Sequence, residues 1–153
     1  MKYKIQKYTE KDKNDLFKFI INTERLFNPP ISERVNLNDY INKLILESEI
    51  LVAKEIENNK LIGVAAYYCT PNKFDYAFLS FIAVNSKYKG VGSLLIQEMI
   101  EYCKYKNMKG IETQTWESNE RSLSLFKKFD FVETDRISNR SNTERSILLK
   151  LVF

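Results

Sequence analysis

Chemistry is suggested first by Val84-Asn85-Ser86-Lys87-Tyr88-Lys89-Gly90-Val91-Gly92-Ser93. An apolar run ends there, a glycine-bearing turn follows, and a helix opens. The N–H groups at a helix start lack partners within the helix, and the helix dipole favours negative charge at that end. Gly90 and Gly92 would let the main chain approach a ligand without a Cβ in the way. Lys87 and Lys89 add positive charge. Together these features describe a cradle for a diphosphate; the alternative is an ordinary turn before a helix. Two other phosphate patterns fail. Gly-x-x-x-x-Gly-Lys-Ser/Thr is absent. Gly-x-Gly-x-x-Gly would need glycine or alanine at position 95, where Leu95 stands, although Glu112 lies about where a ribose ligand would be expected.

Composition removes other chemistries. The 153 residues include no histidine, so histidine bases and histidine metal ligands are excluded. Two cysteines, Cys69 and Cys103, are too few for a disulfide scaffold or a four-thiolate zinc site, and no metal is expected. They read as reduced thiols in a cytoplasmic protein. The N-terminus lacks the apolar stretch of a signal peptide, and no run approaches the roughly 18 apolar residues of a membrane span. No membrane association is expected. A net charge of +4 suits an anionic ligand but is too weak to argue for nucleic acid.

The length fits one domain over residues 1–153, and 44% hydrophobic residues can build a core. Tyr3 to Tyr8 alternates as a first strand. Thr9 is a plausible N-cap for a helix carrying Leu16, Phe17, Ile20, Thr23 and Phe27, which Asn28-Pro29-Pro30 stops. A second helix spans Asn38 or Asp39 to Glu47. Ile50–Ala53 and Leu61–Tyr68 form a hairpin around Asn58-Asn59. Ala77–Val84 is nearly all apolar, the pattern of a central strand covered on both faces. A helix then starts near Gly90 with Val91, Leu95 and Met99 on one stripe, and Gly110 marks its stop. Ile111–Trp116 is a fifth strand, Asn119–Phe129 a helix, and Phe131–Ile137 with Arg145–Phe153 two closing strands around residues 138–143. Strand–helix–strand from Ala77 to Thr115 implies parallel pairing, and the hairpins imply antiparallel pairing elsewhere, so the sheet is mixed α/β.

Two motifs in this order resemble the GNAT superfamily of acetyl-CoA-dependent N-acetyltransferases. Lys87-Tyr88-Lys89-Gly90-Val91-Gly92 matches the family's Gln/Arg-x-x-Gly-x-Gly/Ala, with Lys87 in place of Gln or Arg. Asn119-Glu120-Arg121-Ser122-Leu123-Ser124-Leu125-Phe126-Lys127-Lys128-Phe129-Asp130-Phe131 falls into register with Asn-x-x-Ala-x-x-Leu-Tyr-x-x-x-Gly-Phe. The resemblance covers the whole chain. It implies a mixed sheet of about seven strands with a splay between the fourth and fifth, and about four helices. It implies acetyl-CoA as co-substrate, its pantetheine arm along Ile82, Ala83 and Val84 and its pyrophosphate on the amides from Tyr88 to Ser93. The Val84 N–H would steady the thioester oxyanion. Asn119 would bond the pantetheine arm or a water, and Phe126 would pack against the arm or lie in the core.

The resemblance also implies transfer of acetyl to a primary amine of a small molecule by direct attack in a ternary complex. Its alternatives are a protein lysine or N-terminus as acceptor and a CoA-binding regulator with weak turnover, and it admits a homodimer. The usual tyrosine is Phe126 here, which has no proton to give a departing thiolate. The usual glycine is Asp130, which tolerates the left-handed conformation. Some relatives carry a glutamate where Phe78 stands. Glu112 is then the nearest carboxylate that could serve as a base; the alternatives are a solvated glutamate and a water chain ordered by Ser80, Tyr67, Tyr68 and Asp75. Acceptor contacts are expected from Phe27, Pro29, Arg34, Tyr67, Phe78 and Ser80.

Overall fold

Strand β1 (Tyr3–Lys7) pairs antiparallel with β2 (Glu49–Glu55), and β2 with β3 (Leu61–Tyr68). The structure is a computed structural model and describes residues 2–138 and 144–153; part of the loop expected over residues 138–143 lies outside them. The sheet continues through β4 (Tyr76–Val84), β5 (Gly110–Trp116), β7 (Arg145–Val152) and β6 (Val132–Ser138), giving seven strands in the order β1-β2-β3-β4-β5-β7-β6. Pairing of β4 with β5 is parallel, and that of β7 with β5 and β6 is antiparallel, so the sheet is mixed as expected. Helices α1 (Lys13–Thr23), α2 (Leu37–Glu47), α3 (Val91–Tyr105) and α4 (Glu120–Lys128) complete the expected order. Among the described residues no helix is long and apolar enough to cross a membrane.

The chain divides into two compact units, Met1–Tyr67 with Phe81–Met99, and Tyr68–Ser80 with Ile100–Phe153. In the first, α1 buries Leu16 and Ile20, and α2 buries Ile41 and Leu44. Asp12 ends the turn before α1; its carboxylate accepts from the Thr9 N–H at 2.9 Å and from the Lys54 ammonium at 2.5 Å. Helix α1 ends at Thr23, earlier than the expected Phe27. Thr23 turns its hydroxyl back to the Phe19 carbonyl at 2.8 Å, one tight turn covers Glu24–Leu26, and Phe27 is already extended. The N-terminal half of α3 lies close on β3: a Cβ on Gly63 would stand 3.2 Å from Val91 and 3.4 Å from Leu95. That closeness fixes the height of the α3 mouth over the sheet.

In the second unit, Asn119 caps α4, its Oδ1 accepting from the Ser122 N–H at 3.3 Å. Asp130 follows the helix at φ 70°, the left-handed position expected of it. Phe126 and Phe131 are both buried, with ring centroids 5.3 Å apart.

Two expectations are corrected. Gly110 does not stop α3. The helix ends at Tyr105, Asn107 takes φ 61°, and Gly110 opens β5. Gly110 is needed there for space: a Cβ would fall 2.0 Å from the Leu151 carbonyl oxygen and 2.7 Å from the Tyr76 ring. Nor is β4 covered on both faces. Ala77, Leu79 and Phe81 are buried, but Phe78 is 38% exposed and Ser80 and Ile82 are half-buried. The continuous apolar run hides a one-sided strand.

Candidate active site

The β4–β5 register runs from Tyr76↔Gly110 to Leu79↔Thr113 and stops there, while β4 itself continues to Val84. On the other edge, the N–H of Asn85 donates to the Ile62 carbonyl of β3 at 2.8 Å. Residues 80–84 of β4 thus lie beyond its last pair with β5. This is the splay in chemical terms: main-chain donors and acceptors on an edge no longer laddered to β5.

The next residues form a tight turn. Asn85 organises it twice, its side-chain Oδ1 accepting from the Lys87 N–H at 3.0 Å and its carbonyl from the Tyr88 N–H at 3.0 Å. The amides of Lys87 and Tyr88 are thus engaged inside the turn, and the expected donor set narrows to Lys89–Ser93. Gly90 takes φ 84°, a left-handed value that glycine adopts without strain. Its carbonyl accepts the Leu94 N–H at 3.2 Å, which makes Gly90 the cap and Val91, Gly92 and Ser93 the first helical turn. Helix geometry directs the amides of such a turn out of the mouth. Lys87, Lys89 and Gly90 are exposed, while Val91 is buried. A diphosphate fits this mouth on three observations: the left-handed glycine cap, the outward first-turn amides and two exposed lysines.

The turn is tied to the β1–β2 edge. The Tyr3 hydroxyl donates to the Lys89 carbonyl at 2.8 Å. The Glu55 carboxylate, an acceptor near the Tyr88 hydroxyl, pushes the phenol pKa up, with smaller contributions from desolvation and from its negative charge. None of this was visible in sequence for Tyr3 and Glu55, which lie far from the turn along the chain. The Asn85 turn had a local signal, asparagine two residues before the amide it accepts.

The remaining predicted residues divide between the units. In the first, Phe27 stacks on Phe81 with centroids 5.1 Å apart and planes at 14°. Pro29 is buried and Arg34 exposed. Tyr67 is only 1% exposed. In the second unit, Asn119 Nδ2 donates to the Thr115 hydroxyl at 2.9 Å while its Oδ1 caps α4, leaving one hydrogen and one lone pair of the amide. Phe126 is buried against Phe131. Glu112 is exposed and stands between Phe78 and Lys150 in the strand register.

This fold matches many solved structures. An acetyltransferase of the GNAT family from Streptococcus pneumoniae is 19% identical, with 99% of each chain covered and a TM-score of 0.78. The ribosomal-protein-S18-alanine N-acetyltransferase from Escherichia coli is 17% identical, covering 98% of this chain and 93% of its own, with a TM-score of 0.77. A candidate streptothricin acetyltransferase from Bacillus anthracis, solved with acetyl coenzyme A, is 30% identical over 76% of this chain and 68% of its own, with a TM-score of 0.62. No curated protein matches in sequence. The sequence model of the acetyltransferase (GNAT) family matches residues 17–131, and the chain belongs to that family. It is an acyltransferase of the type that draws its acetyl group from acetyl coenzyme A.

Proposed function

We propose that the chain transfers acetyl from acetyl-CoA to a primary amine of a small-molecule acceptor by direct attack in a ternary complex. The observation that carries this is the run of geometry from Ile82 to Ser93: an unladdered strand edge leading straight into a left-handed glycine and a helix mouth. The Ile82 and Val84 main chain would pair with the amide-bearing pantetheine arm. The Val84 N–H, fixed by the strand, would meet the thioester oxygen as it gains charge, without reorganising. Amides from Lys89 to Ser93, with Lys87 and Lys89 nearby, would hold the pyrophosphate.

An amine acceptor must lose a proton before it attacks. Glu112 is the carboxylate proposed for this, accepting the proton directly or through water; it is exposed and faces bulk solvent as an outlet. Asn119 would use its remaining hydrogen or lone pair on the arm or on that water. The departing thiolate needs no acid, because thiol pKa values lie near about 8.5. A small acceptor is favoured by the name of the 30% identical relative, which gives streptothricin. Phe27, held flat on Phe81, and the exposed Arg34 would meet it.

The test is thiol release from acetyl-CoA across a panel of small primary amines and peptides with free N-termini or lysines. Turnover on a small amine supports the proposal. Turnover on peptides alone moves the acceptor to protein, and tight CoA binding with no turnover on any amine makes the chain a regulator.

A further inference from the structure

Tyr3 and Glu55 are register partners at one end of the β1–β2 ladder. Tyr3 reaches the turn before α3, donating its hydroxyl to the Lys89 carbonyl at 2.8 Å. We propose that Tyr3 is a positioning residue for the acyl donor: it clamps the Asn85–Gly90 turn so that the α3 amides point at the diphosphate. This rests on the mouth of α3 being the diphosphate site.

The clamp acts through a rigid plane. The Lys89 carbonyl and the Gly90 N–H belong to one trans peptide unit and point in opposite directions. Tying the carbonyl to Tyr3 therefore turns the Gly90 N–H away from β1. Gly90 is the residue that most needs such a constraint, because glycine at φ 84° has many other conformations open to it. A Cβ on Gly90 would lie 3.4 Å from the Tyr3 hydroxyl, so that oxygen stands directly against the glycine. Preorganised amides bind an anion more tightly than amides that must first be ordered.

The experiment is calorimetric titration of the full chain with coenzyme A, beside NMR titration with pantetheine, which lacks the diphosphate. Tyr3→Phe should weaken CoA about three- to tenfold, the range of one hydrogen bond. Pantetheine affinity and the thermal midpoint should stay as in the wild type. In the free protein, amide exchange at Lys89–Ser93 should quicken in Tyr3→Phe. Unchanged CoA affinity in Tyr3→Phe would overturn the clamp and leave the function standing. Equal loss for CoA and pantetheine with a lowered midpoint would also overturn it, as general destabilisation. A wild-type chain that binds no CoA would overturn the diphosphate site and the clamp with it.

Discussion

The Lys54 ammonium lies 2.5 Å from the Asp12 carboxylate, and both side chains are almost wholly buried, at 7% and 4% exposure. The pair ties the turn before α1 to β2. Removing one partner strands the other charge in the core, at a cost of about 3–5 kcal/mol. Asp12→Asn should lower the urea midpoint at pH 7 accordingly. Burial raises the Asp12 pKa, but hydrogen bonds from Lys54 and the Thr9 N–H outweigh it and hold the carboxyl below its usual value. A depressed folded pKa adds stability that is complete above the unfolded value of about 3.9 and is lost as pH falls through the folded one. The gap between wild type and Asp12→Asn should therefore narrow in acid. A constant gap would contradict the pairing.

Glu24 is buried and accepts from both the Ser32 N–H at 2.9 Å and the Ser32 hydroxyl at 3.1 Å. It closes the segment that carries Phe27 and Pro29, two residues before Arg34. Glu24→Ala removes two hydrogen bonds to a carboxylate from the exposed Ser32, at about 1–3 kcal/mol of stability. With the amine that the panel identifies, its KM for acceptor should rise about fivefold or more by steady-state kinetics. Its KM for acetyl-CoA should hold. Equal rises in both constants would mean the segment does not serve the acceptor.

Much of this site could be read from the sequence because its signals are local. Gly90, Gly92 and the helix stripe from Val91 announce a turn and a helix mouth, and Asp130 holds the left-handed position its type suggested. Long-range effects were hidden. Gly110 reads as a helix stop, yet it is demanded by Leu151 and Tyr76, residues far away in the chain. The apolar run at β4 gives no sign that Phe78 lies on an open face. Tyr3 is 86 residues from Lys89, and no pattern links them.

Phe126 occupies the family's tyrosine position and is buried against Phe131. If the thiolate leaves unaided, Phe126→Tyr should change kcat by no more than about twofold. It should also lose about 1–3 kcal/mol of stability if its new hydroxyl finds no partner. A large gain in kcat would show that protonation of the leaving group limits turnover.

Gly92 is the second residue of α3, inside the mouth. Gly92→Val puts a branched side chain where the diphosphate must approach the amides, and CoA affinity should fall by about tenfold or more in a folded variant. Calorimetry with circular dichroism on the same sample checks both points.

The most direct measurement is a crystal structure of the full chain with coenzyme A. Pyrophosphate oxygens should lie within hydrogen-bond distance of amides between Lys89 and Ser93, with the pantetheine arm paired to Ile82 and Val84. A diphosphate bound elsewhere, or an arm that leaves the β4 edge untouched, would contradict the account.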